Sequence, residues 1–256
     1  MSAVHRPLQC LVILAGCGTA TAGLAGSVGG SVALTSDVVN HGVSQDCGRP
    51  ALQGDLHWRS ADGRAATEGF LGVWGSAGAG DSDCGRAREL DLYAGLGVAL
   101  GADAHATFTY THYGYPGGAY ALAPLAGRRY DYDALEAQWA WQDRLVVSLA
   151  WTPDAMGYGY DYFSGHGTIQ RDRSALSYGL QLHQPLWAGL SLSAGAGYDS
   201  ITDPFGTGFG FWNTGLGYAW RAFSVEAAYF RTAARAERLF GPAAGGRAAV
   251  TAMWRF

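Results

Sequence analysis

The sequence contains no lysine; its 17 basic residues are all arginine, set against 21 acidic ones and a net charge of -4. Nucleic acid needs a basic stripe, and none is present. Charged residues of either sign make up only 15% of the 256-residue chain. No apolar run approaches the ~20 residues of a transmembrane helix, so any membrane crossing must use strands. No C-x-x-C pair or histidine cluster accompanies the 4 cysteines, which leaves a metal centre unsupported. Lipase- and protease-type nucleophile motifs are missing as well, and no cofactor is indicated. Disorder is excluded by a hydrophobic content of 48%. What the chain has in abundance is glycine, at 39 residues, together with aromatics at 13%. Its length suits one large domain, since barrels commonly use this many residues as a single unit.

The first segment, MSAVHRPLQCLVILAGCGTATAG, places His5 and Arg6 before an apolar stretch from Leu8 to Ala15, then an A-x-A site at Ala20-Thr21-Ala22. This is the layout of a secretory signal peptide over residues 1–22, leaving 23–256 as the mature domain. Leu14-Ala15-Gly16-Cys17 also resembles a lipobox, in which the cut falls before Cys17 and residues 18–30 become a tether. Either cut predicts export. In an oxidising compartment Cys47 and Cys84 favour a disulfide over a metal site, with two unpaired thiols as the alternative.

The mature chain alternates with period 2, which predicts strands with two different surroundings. Val32, Leu34 and Val38 oppose Ala33, Thr35 and Asp37; Leu52, Leu56 and Trp58 oppose Gln53, Asp55, His57 and Arg59. The stretch 69–76 is ambiguous, being apolar on both faces. Leu90, Leu92 and Leu96 oppose Glu89, Asp91 and Tyr93, and Phe108 and Tyr110 oppose a row of threonines. Leu135, Trp139 and Trp141 oppose Glu136 and Gln138; Val147, Leu149 and Trp151 oppose Ser148 and Ala150. Tyr178, Leu180 and Leu182 oppose Ser177, Gln181 and His183; Leu192 and Tyr198 oppose Ser193 and Asp199. Trp212, Leu216 and Tyr218 oppose Asn213, Phe223 and Val225 oppose Glu226, and Val250, Trp254 and Phe256 oppose Arg247 and Arg255.

This makes twelve strands, an even number, joined alternately by short turns such as "QD" and "RA" and by mostly longer loops such as 114–129 and 153–172. Short turns at one end and long loops at the other are the outer-membrane arrangement. Trp139, Trp141, Trp151, Trp220 and Tyr229 fall near strand ends, where an interfacial girdle belongs. The predicted fold is all-β: a 12-stranded antiparallel transmembrane β-barrel of outer-membrane type, in the outer membrane of a Gram-negative bacterium. Cys47 and Cys84 then lie in the first and second outer loops, where a bridge closes ~37 residues and contributes roughly 2–4 kcal/mol.

The strand with Thr35-Ser36-Asp37, followed by Gly42-Val43-Ser44-Gln45, Pro50-Ala51-Leu52-Gln53-Gly54 and Glu89-Leu90-Asp91, resembles the TorF-type family of proteobacterial porin-like proteins. The likeness covers about the first third of the mature chain. The family's first loop usually carries an aromatic-rich stretch with Arg before the Gly, whereas here Val38-Val39-Asn40-His41 stands there. The resemblance implies an outer-membrane porin-like protein. Likeness to other outer-membrane proteins further implies that Trp254 and Phe256 are read by the barrel-assembly machinery, with outer-membrane lipid around the barrel.

By parity the lumen receives Asp37, Asp55, Glu89, Asp91, Glu136, Asp199 and Glu226 against Arg59, Arg247 and Arg255. His57, His183, Gln53, Gln138, Gln181 and Asn213 share those faces. An acid-rich wall favours small cations or neutral solutes over anions, unless the charges simply pair across the lumen. The expected function is passive passage of small hydrophilic solutes or ions. An adhesive barrel using the Tyr/Gly-rich loop 156–168 is a second reading. An enzyme is a third, although Ser177 and His183 on one strand face stand ~20 Å apart.

Overall fold

The computed structural model describes residues 26–60, 66–78, 88–116, 131–161, 166–202 and 206–256, with backbone alone for 156–161 and 166–172. The predicted signal peptide and Cys84 lie outside the described residues. Strand β1 (Ser27–Thr35) is followed by two short strands, β2 (Val39–Asn40) and β3 (Val43–Ser44). Then come β4 (Ala51–Arg59), β5 (Thr67–Gly78), β6 (Arg88–Ala99), β7 (Ala104–Gly114), β8 (Tyr132–Trp141) and β9 (Leu145–Asp161). The chain continues through β10 (His166–Pro185), β11 (Leu190–Ile201), β12 (Thr207–Trp220), β13 (Phe223–Thr232), helix α1 (Ala234–Phe240) and β14 (Arg247–Arg255).

Twelve of these strands form one closed antiparallel barrel, and β2 and β3 form a separate hairpin. Closure comes from β14 pairing with β1, Val32 opposite Trp254 and Leu34 opposite Ala252. Each barrel strand therefore has two partners, and no row of backbone groups is left at an edge. No described helix is long and apolar enough to cross a membrane.

Parity decides which side each residue takes. Leu34 is 59% exposed while its neighbours Ala33 and Thr35 are buried. Leu92, Leu135, Leu180, Leu216 and Val250 repeat that exposure around the circumference. So large a continuous apolar surface suits a hydrocarbon solvent and would aggregate in water. Aromatic belts bracket it. Near the short-turn end, Phe223, Trp254 and Phe256 pack in sequence, with centroids 6.5 and 5.0 Å apart. Toward the loop end, Trp212 packs on Tyr229 at 5.6 Å.

The two-sided apolar stretch in β5 is resolved by its neighbour. Trp58 of β4 pairs with Leu71 and Leu56 with Val73, so Leu71 faces out and Phe70 is buried. The inward face then pairs glycine with aromatics: Gly72 opposite Tyr93, Gly95 opposite Phe70, and Gly197 opposite Phe211. A Cβ on Gly95 would collide with the Phe70 ring and the Phe108 carbonyl. These glycines give large inward side chains a flat surface to lie on.

Three expectations need correction. The first strand was expected to run to Val39, but β1 stops at Thr35. Val38 is buried inside the barrel instead of sharing an outer face with Val32 and Leu34. The Thr35 hydroxyl donates to the Asp37 carbonyl at 2.8 Å and turns the chain inward there. Second, the expected loop 153–172 is mostly strand, because β9 and β10 extend to 17 and 20 residues. Pro153, which ended the strand by rule, is accommodated near register shifts between Gln170, Arg173 and Ala175. Third, α1 was not foreseen. Its Ala236 and Phe240 join Val43, Ile201 and Phe209 in a small apolar core inside the loop end.

Substituting Gly95→Val should destabilise the barrel by about 1–3 kcal/mol through overpacking against Phe70. Urea unfolding in lipid vesicles measures this, and a variant as stable as the parent removes the proposed role of the glycine.

Candidate channel lumen

The inward turn at Asp37 carries residues 37–46 into the barrel, where all but the half-buried Val39 are buried. Asn40 pairs with Val43, leaving His41 and Gly42 as a two-residue turn. Both have positive φ, 47° and 78°, the pattern of a type I′ hairpin. At Gly42 a Cβ would lie 2.6 Å from the Thr232 side chain, so the position requires glycine on two grounds.

The hairpin tip is fastened to the opposite wall. Nδ1 of His41 lies 2.9 and 3.0 Å from the two carboxylate oxygens of Asp199. Its ring stacks on Phe211 with centroids 4.4 Å apart. Asp199 also accepts from the Ser177 hydroxyl at 2.5 Å. Serine, aspartate and histidine thus meet, but the carboxylate stands between the other two. A nucleophilic serine needs the imidazole against its hydroxyl, which this order does not provide. The hairpin's base is held by Asp37, which accepts from Ser44 at 2.6 Å and from Arg247 at 3.1 Å. Arg247 also donates to the Pro242 and Ala244 carbonyls at 3.0 and 3.3 Å, linking β14, the hairpin and the segment after α1.

The inward residues expected from parity separate into distinct groups. On β6–β8, Glu89 accepts from the Tyr115 hydroxyl at 2.6 Å, and Tyr113 stacks on Tyr132 at 4.6 Å. Asp91 is buried on the same wall. On β4–β6, Asp55 accepts from Tyr93 at 2.6 Å while its other oxygen lies 2.6 Å from Nδ1 of His57. Arg59 pairs with Glu68 at 2.6 Å, and Arg255 donates to Ser224 at 3.2 Å. Glu136 accepts from Gln138 at 2.8 Å. His183 is half-buried on β10.

Beneath the hairpin lies a cavity of about 370 Å³. It gathers Gln53, Gln138, Gln181 and Asn213 with Asp37, Asp143 and Glu226, beside His41 and His105. None of its lining residues is an arginine. Trp254 and Phe256, by contrast, lie on the outer surface. Sequence reading missed His41 as a lumen residue, and with it Glu68, Tyr115 and Asp143. Glu68 was recoverable, since it sits two residues before Phe70 on the same face. His41 was not, because period-2 parity says nothing about a strand that folds back into its own barrel. Cys47 is disulfide-bonded; Cys84, its expected partner, lies outside the described residues.

Truncating Asp37→Ala should cost roughly 3–5 kcal/mol by stranding the mostly buried Arg247. The double variant Asp37→Ala/Arg247→Ala should lose less than the sum of the single changes. Additive losses in urea titrations would show that the pair is not coupled.

A family model described as "Bacterial protein of unknown function (Gcw_chp)" matches residues 19–256. No curated protein matches the chain. Among solved structures, one from a study of the in-meso crystallization of membrane proteins superposes with a TM-score of 0.56 at 11% identity. That match covers 89% of this chain and 83% of the other. The NanC porin superposes with a TM-score of 0.53 at 7% identity, covering 89% of this chain and 98% of the porin. At such identities the likeness is one of fold.

Proposed function

The chain belongs to the Gcw_chp family, and we propose that its barrel is an outer-membrane channel for small hydrophilic solutes, weakly selective for cations. The observation that carries this reading is the pairing of a mostly apolar exterior with a cavity that gathers acids and amides and that no arginine lines. A structural protein of the membrane has no need of that cavity. A shared fold with a porin supports the reading. So does the resemblance of the first strands to TorF-type proteins, which remains our own reading of residues 35–54 and 89–91.

Cation preference follows from how the inward charges are used. Arg59 and Arg247 are paired with the carboxylates of Glu68 and Asp37, and Arg255, which donates to the Ser224 hydroxyl, lies outside the cavity lining. Among the described residues Glu226 accepts from the Ser193 hydroxyl at 2.8 Å, and no arginine lines the cavity beside it. A low-dielectric wall with surplus negative charge concentrates cations. The hairpin of residues 37–46 is then the constriction. We assign the short turns to the periplasm, export to the leader at residues 1–22, recognition by assembly machinery to Trp254 and Phe256, and the disulfide to Cys47 with Cys84. A catalytic role has no support in the Ser177–Asp199–His41 order, and an adhesive role none beyond the length of β9 and β10.

In planar bilayers the reconstituted chain should conduct, with a reversal potential shifted toward cations. Replacing residues 38–45 by three glycines should raise the single-channel current several-fold, with folding checked by gel mobility before and after heating. An unchanged current would mean that the hairpin is not the constriction. Separately, peptide mapping without reductant should recover Cys47 joined to Cys84; recovery of Cys84 as a free thiol overturns that pairing.

A further inference from the structure

We propose that the cavity wall built by β10–β13 is a binding subsite for the protonated amine of a small solute. The inference rests on the channel reading and deepens it.

Two inward glycines define the site. On β11, a Cβ at Gly195 would collide with Oε1 of Gln181 and lie 2.8 Å from Oδ1 of Asn213. On β12, a Cβ at Gly215 would lie 2.8 Å from Oγ of Ser193 and 3.0 Å from Oε1 of Glu226. Four side-chain oxygens on four strands therefore converge over a floor with no side chains of its own. The strand ladder puts them in register: Gln181 opposite Gly195, Gly195 opposite Asn213, Ser193 opposite Gly215. All four line the cavity.

The atoms that lie nearest the two glycines are oxygens, those of two amides, a hydroxyl and a carboxylate. Oδ1 of Asn213 is buried without a hydrogen-bond partner. The Ser193 hydroxyl spends its proton on Glu226. A buried acceptor without a donor is costly, and a ligand bringing several N–H groups relieves it. Turning one amide end for end would join Gln181 to Asn213, whereas the Glu226 carboxyl has no such alternative, so it is the residue to test. Carboxylate, phosphate and sulfate solutes find no guanidinium here. A protonated amine offers three donors and a positive charge in one compact group. At about 370 Å³ the cavity holds a molecule of monosaccharide size.

The test compares glucosamine at pH 6 with glucose, two solutes of nearly equal shape that differ in the amine. Calorimetry on the detergent-purified full chain should give glucosamine an affinity about 10-fold or more above that of glucose, the scale of charge focusing in a cleft. E226Q, which keeps the side chain's size, should abolish that preference, and S193A should reduce it. Equal affinity for the two sugars, or a preference that survives E226Q, overturns the proposal. Displacement of glucosamine by an equal concentration of potassium chloride also overturns it, since the site would then take any monovalent cation. Conductance is scored separately: a conducting barrel without amine preference sinks only this inference, whereas amine binding to a non-conducting barrel upholds the site and sinks the channel.

Discussion

The structure depends first on an uninterrupted hydrogen-bond ladder around the circumference. A lipid-embedded chain has no water to receive a stray backbone N–H or C=O, so a sheet must close on itself or stay out. Twelve strands meet that demand by joining β14 to β1. Once the ladder closes, pleat alone sorts side chains between two solvents. Leucine, valine and tryptophan go outward, acids, amides and glycine go inward, and tyrosine is found on both sides. The outer surface leaves its large apolar side chains without close packing of their own, as a hydrocarbon surrounding allows. The interior has no such surrounding, and the protein fills it from its own first loop.

That internal filling explains the polar chemistry of the barrel. Hairpin residues 37–46 bring backbone groups and the polar side chains of Asp37, Asn40, His41 and Ser44 into a confined space. Each polar group has to find a partner there or lose more than the contact is worth. Asp199, wholly buried, receives both Ser177 and His41. Arg247 serves Asp37 and the carbonyls of Pro242, Ala243 and Ala244 at once. The small apolar core of Val43, Phe209, Ala236 and Phe240 seals the loop end above them. What stays open is the lower cavity, where acids and amides such as Glu226, Gln181 and Asn213 stand beside Leu180, Phe211 and Phe230.

Much of this was legible in the sequence, and the reason is the simplicity of a strand's period. Every residue from Leu90 to Leu96 falls on the face that alternation assigns, as do those from Leu135 to Trp141 and from Tyr178 to Leu182. The stretch around Phe70 was illegible alone, since its sides differ only through pairing with Leu56 and Trp58. The interior hairpin was illegible for a deeper reason. Val38 and Val43 look the same whether lipid or a protein interior surrounds them, and only long-range partners such as Arg247 decide. The candidate amine site was half visible: Gln181, Asn213 and Glu226 were placed inward by parity, but their meeting across Gly195 and Gly215 depends on register between four strands.

The Asp37–Arg247 pair joins positions 210 residues apart, and the Thr35–Thr251 hydroxyl pair spans 216. Both link the first barrel strand region to the last. A nascent chain can form the hairpin turn early, and its tip finds Asp199 on β11, yet the anchor of its base does not exist until the final strand arrives. Sealing the cylinder and seating the stopper are consequently one event, late and slow, with loop closure over nearly the whole polypeptide as its entropic toll. Until then the hairpin is latched at its tip alone.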